Sequence, residues 1–303
     1  MSHNILVIGA GELGTEVLHA LVEHPQDTTV AVLLRSNSIA STDPAKQTQI
    51  QALQTLGVRL VPGDIVEDSE QKLASIFAGY DTIIGCTGFV SGKGTQMKST
   101  RAVLAAKTAR YIPWQFGVDY DAIGRGSAQD VFDEQLDVRD LLRSQQTTRW
   151  AIVSTGMFTS FLFAPFFGVV DLDHATVCAL GSWENRVTVT TPKDIGRLTA
   201  EIVLGSESDE LFSNKAIFVG GDTISYGQLA QLVEHVAQKP ITRRVLSVAD
   251  MQVALENDPT NAMLKYQIVF GQGRGVAWDL SETWNHRGIR AKTAEEWAKE
   301  NLV

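Results

Sequence analysis

The chain has 303 residues, 44% hydrophobic and 20% charged, so it can build a large core and has too much apolar content for long disorder. Its formal charge is −9, and no stripe of Lys and Arg offers a surface for phosphates, which argues against a nucleic-acid partner. A polyanionic ligand must therefore be caught by local groups, against the field of the whole molecule.

The first residues, Met1-Ser2-His3-Asn4, carry no basic region, and the apolar run 5–8 is too short for a signal or membrane segment. Of the two cysteines, Cys86 falls in a predicted buried strand and Cys178 further on, as expected of a reduced, cytoplasmic protein with no membrane partner.

Strands and helices then alternate. Residues 5–8 form an unbroken apolar strand, and Glu12–Glu23 a helix with Leu13, Val17, Leu18 and Leu21 on one stripe. A second strand spans 29–34. Pro44 opens a helix through Leu56 that Gly57 closes. A strand at 58–61, a helix over Glu70–Phe77, a strand at 81–86, a helix at 96–108 and a strand at 110–113 follow. Next come an amphipathic helix at 130–143 and a sixth strand at 150–154. Residues 156–167 are rich in phenylalanine. Beyond them lie strands at 186–189, 217–219 and 244–246, with helices over Pro192–Leu204, Tyr226–Ala237 and 294–300. The pattern predicts an α/β, Rossmann-type doubly wound parallel sheet with a smaller C-terminal α/β lobe. Residues 1–155 are expected to bind NAD(P). Residues 156–303 are expected mainly to bind substrate, with some return to the Rossmann sheet and a substrate crevice between the two.

The turn Gly9-Ala10-Gly11-Glu12-Leu13-Gly14 stands directly after an apolar strand and before a helix, the context that a dinucleotide fingerprint requires. Gly9 permits the tight turn, Gly11 removes a Cβ from the path of the pyrophosphate, and Gly14 allows close helix packing. Glu12 and Leu13 add amides at the helix start. At the end of the second strand the chain reads Leu34-Arg35-Ser36-Asn37-Ser38, with no carboxylate until Asp43. Arg35 and Ser36 suit a 2′-phosphate, with Lys46 a weaker third candidate, so NADP(H) is the expected cofactor. Asp64 and Ile65 after the third strand, and Thr87, Gly88 and Phe89 after the fourth, are expected to line the same groove.

These features resemble the NmrA-like/isoflavone reductase-like branch of the atypical short-chain dehydrogenases over nearly the whole chain. Leu34-Arg35-Ser36 is similar to the family's Val-Arg-x-Ser. Arg110-Tyr111-Ile112-Pro113-Trp114-Gln115-Phe116-Gly117 is similar to its Arg-Phe-Ile-Pro-Ser-Glu-Phe-Gly, which adds Gln115 and Phe116 to the cofactor groove. Thr155-Gly156-Met157-Phe158 and Pro192-Lys193-Asp194-Ile195-Gly196 match as well. The resemblance implies NADPH-dependent reduction of phenylpropanoid-type or related aromatic secondary metabolites. For some members it implies only sensing of the NADP(H) state and binding of a regulatory protein partner.

The resemblance also implies a general acid/base lysine three residues before a hydrophobic-Arg pair, and here Gln135 occupies that position ahead of Val138-Arg139. A glutamine cannot deliver a proton at neutral pH. No tyrosine is followed by lysine four residues on: after Tyr80, Tyr111, Tyr120, Tyr226 and Tyr266 stand Ile84, Gln115, Gly124, Ala230 and Phe270. Tyr120, past the end of the fifth strand, remains a phenolic donor to a developing anion, or a rim residue packed under its loop. Asp119 and Asp121 read as turn or capping groups. Arg125, between two glycines, suits an anionic substrate or a solvated loop. Met157, Phe158, Phe161 and Phe163 suit an aromatic substrate wall or plain core. The six histidines are scattered without ligand spacing, so no metal is expected. An NADPH-dependent reductase of a small aromatic or conjugated metabolite is expected, with a catalytically silent NADP(H) sensor that binds a protein partner as the alternative.

Overall fold

The computed structural model describes residues 3–302. It begins with β1 (His3–Ile8), α1 (Glu12–Glu23) and β2 (Thr28–Leu34). One turn of helix, α2 (Ser36–Ile39), precedes α3 (Pro44–Thr55). Pro44 sits in the first turn of α3, and Asp43 caps it by accepting from the Lys46 amide at 3.0 Å. Then come β3 (Arg59–Pro62), α4 (Glu70–Phe77), β4 (Thr82–Gly85), α5 (Thr95–Ala105) and β5 (Arg110–Ile112). A short α6 (Tyr120–Ile123) and the long α7 (Val131–Arg143) lead to β6 (Arg149–Ser154). The phenylalanine-rich stretch folds as β7 (Met157–Phe158), α8 (Thr159–Leu162) and a 3-10 turn, Pro165–Phe167.

The remainder contains β8 (Val170–Asp171), β9 (Thr176–Leu180), β10 (Arg186–Thr190), α9 (Pro192–Leu204) and α10 (Ser208–Leu211). It continues with β11 (Lys215–Phe218), β12 (Asp222–Ser225), α11 (Tyr226–Ala237) and β13 (Thr242–Leu246). The chain ends with α12 (Val248–Asn257), α13 (Ala262–Gln272) and α14 (Ala294–Asn301). Several of the elements missing from the sequence expectation are short, and one lacks a period. β7 and β8 have two residues each, and α13 buries five residues in a row, 267–271, so it shows no amphipathic stripe.

Two compact units divide the chain. The first comprises residues 1–115, 137–153 and 195–217; the second comprises 116–136, 154–194 and 218–303. A seven-stranded sheet ordered β11-β6-β5-β4-β1-β2-β3 forms the first, and its strands from β3 to β6 pair in parallel. This is the expected Rossmann-type doubly wound sheet. Ile5, Leu6 and Val7 are fully buried because helices cover both faces, which explains the unbroken apolar run. The strand order reverses between β1 and β4, so the loops that follow these strands part at the carboxyl edge, the place where ligands bind in such sheets. The second unit holds two three-stranded sheets, β12-β10-β7 and β13-β9-β8. Among the described residues no helix is long and apolar enough to cross a membrane.

Candidate active site

In the first unit, β1 ends where Gly9 adopts φ +92°, a conformation that disfavours any side chain. A Cβ there would also lie 2.6 Å from Thr87 Oγ1. The Gly9 amide donates to the Leu33 carbonyl at 3.2 Å, which ties the turn to β2. At Gly14 a Cβ would lie 2.2 Å from the Gly9 carbonyl oxygen, so α1 packs directly on the turn. Gly11 differs: nothing lies within 4 Å of a Cβ built there, and the space before it is open. Gly11 is also the N-cap of α1 and contributes no capping side chain. The amides of Glu12, Leu13 and Gly14 are the first three of the helix, with no intrahelical acceptor by geometry, and they mark its positive end. Gln49 of α3 donates to the Ala10 carbonyl at 2.6 Å and so holds the turn from a third side.

A cleft of about 160 Å³ continues from Gly9 to Arg35, Ser38, Asp64 and Ile65. Ser38 lines it, whereas Ser36 is exposed at the start of α2, and Lys46 is exposed on α3. Arg35 Nε lies 3.5 Å from Asp64 Oδ2, with the arginine side chain 55% and the aspartate 22% exposed. Asp64 is fixed by its own loop: Oδ1 accepts from the Val66 amide at 2.8 Å and the Glu67 amide at 3.3 Å. Its amide donates to Asp68 Oδ2 at 2.9 Å. A hydrogen bond from Lys72 holds the Asp68 carboxyl below the usual carboxylate range.

The loop after β4 is tied in similar detail. Thr87 Oγ1 donates to the Ile8 carbonyl at 2.9 Å, and Gln96 Nε2 donates to the Thr87 carbonyl at 2.8 Å. Gly88 passes under Trp114, whose ring would lie 3.0 Å from a Cβ, and Phe89 meets the same indole edge-on at 4.5 Å. Gln115 is fully buried and accepts from Arg139 Nε at 2.8 Å; Arg139 is fully buried too. Gln49, Gln96 and Trp114 escaped the sequence reading because their contacts join distant segments and no spacing marks them.

In the second unit, Phe116 and Tyr120 are both buried, with Tyr120 only 3% exposed. Asp119 caps α6 by accepting from the Ala122 amide at 3.3 Å. The Tyr120 hydroxyl lies 2.9 Å from the place a Gly117 Cβ would take, so this glycine makes room for the phenol. Gln135 on α7 is fully buried. From Tyr120 a run of rings extends through the unit: Phe132 at 4.9 Å, then Tyr266 at 5.7 Å, then Phe161 at 6.1 Å. Phe161 also meets Phe167 at 4.9 Å and Phe166 at 5.2 Å, and Phe166 is 64% exposed.

Met157 is buried in β7 and Phe158 half-buried beside it. Phe163 leaves this run and stacks on Trp297 at 5.0 Å. Arg125 is exposed between Gly124 and Gly126, both at positive φ. Tyr266 is the residue that motif reasoning passed over, because Phe270 stands four residues on. Its hydroxyl has no hydrogen-bond partner among the described residues, and burial pushes its pKa up to about 12.

The model of the NmrA-like family matches residues 1–298, and the chain belongs to that family. An NmrA-like family domain-containing oxidoreductase of Gibberella moniliformis is 47% identical over 309 aligned positions, covering 100% of both chains. A crystal structure of isoflavone reductase matches with a TM-score of 0.81 at 19% identity, over 100% of both chains. The binary complex of leucoanthocyanidin reductase with NADPH from Vitis vinifera matches with a TM-score of 0.80 at 19% identity, over 98% of both. At these identities the two structures establish a shared fold.

Proposed function

We propose that this member of the NmrA-like family is an NADPH-dependent reductase of a small aromatic or conjugated metabolite, acting at a C=C, C=N or C=O bond. The observation that carries the proposal is the turn 9–14, which is packed shut at Gly9 and Gly14 yet open at Gly11 beside the start of α1. A scaffold has no need of that gap, whereas a pyrophosphate has. The oxidoreductase name of the 47% identical relative supports redox chemistry, and the NADPH complex of the leucoanthocyanidin reductase supports the cofactor.

The amides of Glu12, Leu13 and Gly14 would hold the pyrophosphate, and Arg35, with Ser36 beside it, the 2′-phosphate. Asp64 and Ile65 would border the adenine, and Thr87, Gly88, Phe89, Gln115 and Phe116 the nicotinamide half. When bound, NADPH supplies the hydride. We assign the substrate ring to Met157, Phe158 and Phe161, and an anionic substituent to Arg125. Proton delivery falls to Tyr120, or to water ordered by Gln135, since a buried amide can position a water but cannot donate across the pH range of an enzyme. Two free cysteines accord with a cytoplasmic setting.

One observation favours a silent NADP(H) sensor with a protein partner: Gln135 stands where the resemblance implies the proton-donating lysine. Incubation with NADPH and a panel of aromatic carbonyls, enones and imines separates the two readings. The reductase consumes NADPH with at least one of them. If the protein binds NADPH but reduces nothing, and Gln135→Lys is equally silent, the sensor reading replaces the reductase.

A further inference from the structure

The second strand ends without a carboxylate, yet folding delivers one. Asp64, from the end of β3, comes within 3.5 Å of Arg35. The contact is made through Nε, and the terminal nitrogens of Arg35 have no partner among the described residues. Asp64 cannot follow the arginine if it moves, because two backbone amides hold its Oδ1 and its own amide is bound to Asp68. The cation is therefore half-exposed and held at Nε alone among the described residues, and the anion is fixed by its loop, with both on the wall of one cleft.

We propose that Asp64 is a specificity-determining residue of the cofactor site, whose fixed charge weakens the preference of Arg35 for a 2′-phosphate and lets the cleft accept an unphosphorylated dinucleotide as well. The inference rests on the NADPH reading and deepens it. The carboxylate acts differently on the two dinucleotides. Towards a 2′-phosphate, Asp64 is a like charge that already claims part of the guanidinium. Towards a plain ribose, which carries no 2′-charge, it exerts no such repulsion. Any help it gives by orienting Arg35 is small, because a half-exposed pair at 3.5 Å is a weak constraint on a long side chain.

Asp64→Asn separates charge from shape, since the amide oxygen still accepts from Val66 and Glu67. Calorimetric titration with NADPH and NADH reads the effect, without any need for turnover. NADPH should bind about two- to fivefold more tightly, the range expected for an exposed charge pair, and NADH equally or less well. Adenosine 2′,5′-bisphosphate against adenosine 5′-monophosphate should show the same divergence, because these probes differ only in the 2′-phosphate. In an Arg35→Ala background, where NADPH affinity falls about 10- to 150-fold, the gain from Asp64→Asn should vanish.

Looser or unchanged NADPH binding by Asp64→Asn overturns the inference, as does an equal gain with Arg35 absent. If Asp64→Asn melts early, Asp64→Glu serves instead. It keeps the charge but lengthens the reach, so it should hold the NADPH-to-NADH ratio nearer that of the unmutated protein than Asp64→Asn does, and a ratio as high as that of Asp64→Asn overturns the inference. An unmutated protein that binds neither dinucleotide overturns the NADPH reading and this inference together. Clear NADPH binding with no change of ratio overturns this inference alone.

Discussion

The glycine turn and the aromatic run are built in opposite ways. The turn is a backbone object: six consecutive residues set its shape, and a Cβ in the wrong place meets a carbonyl oxygen at 2.2 Å. The aromatic run is a side-chain object, gathered from Tyr120, Phe132, Phe161, Phe167 and Tyr266, with ring centroids 4.9–6.1 Å apart. Hard backbone overlap is all or nothing, whereas ring contacts yield by repacking. Substitutions in the turn should therefore have near-absolute effects, and those in the run graded ones.

The largest expected effects lie within the turn and differ in kind between two glycines three residues apart. Gly11→Val should abolish NADPH binding while the melting temperature stays near that of the unmutated protein, because its side chain enters open space. Gly14→Val should lose binding and melt earlier, since α1 must move off the Gly9 carbonyl; overpacking of this kind costs about 1–3 kcal/mol. If Gly11→Val binds NADPH as tightly as before, the turn is scaffold and the comparison collapses.

The next effect concerns the proton. General acid catalysis contributes about 10²–10⁴-fold, so Tyr120→Phe should slow turnover by at least 100-fold if the phenol is the donor. A drop well below that figure moves the task to water held by Gln135, and Gln135→Leu then becomes the damaging change. Gln135→Lys should leave turnover intact or raise it. NADPH affinity measured beside each rate shows whether the cofactor groove is undamaged.

How legible each region was follows from the same contrast. Gly9, Gly11 and Gly14 are neighbours in the chain, so their spacing alone displays the turn, and strands as apolar as residues 5–8 display the doubly wound sheet. Arg35 could be read as a cation at the end of β2. Its pairing with Asp64 could not, because 28 residues and two helices lie between them and the register of β2 against β3 decides the meeting. Phe161 and Phe163 looked equivalent, two residues apart, yet the first joins the run at Tyr266 while the second stacks on Trp297. A short helical turn at α8 sets that divergence, and no periodicity announces a four-residue helix. Tyr266 was visible only as a failed match to a Tyr-x-x-x-Lys pattern.

The smallest effect tests that tyrosine. Tyr266 is flanked by Phe132 and Phe161, and its hydroxyl has no hydrogen-bond partner among the described residues. Burial disfavours the phenolate and pushes the pKa to about 12, so the group stays a neutral donor at every pH where the protein is assayed. A neutral phenol set among rings suits a substrate that brings both an aromatic ring and an oxygen acceptor. Tyr266→Phe removes one hydrogen bond worth about 0.5–1.5 kcal/mol, or about two- to twelvefold in KM, for substrates that carry such an oxygen. For analogues without it KM should stay unchanged, and kcat should hold for both. The melting temperature should also hold, since the substitution leaves no polar partner stranded. Because the raised pKa keeps the proton on until about pH 12, rate profiles of Tyr266→Phe and the unmutated protein should share the same alkaline limb below that pH. A KM that rises equally for oxygenated and unoxygenated substrates would show that Tyr266 serves packing alone, and the aromatic run would then be a core feature in which substrate has no share.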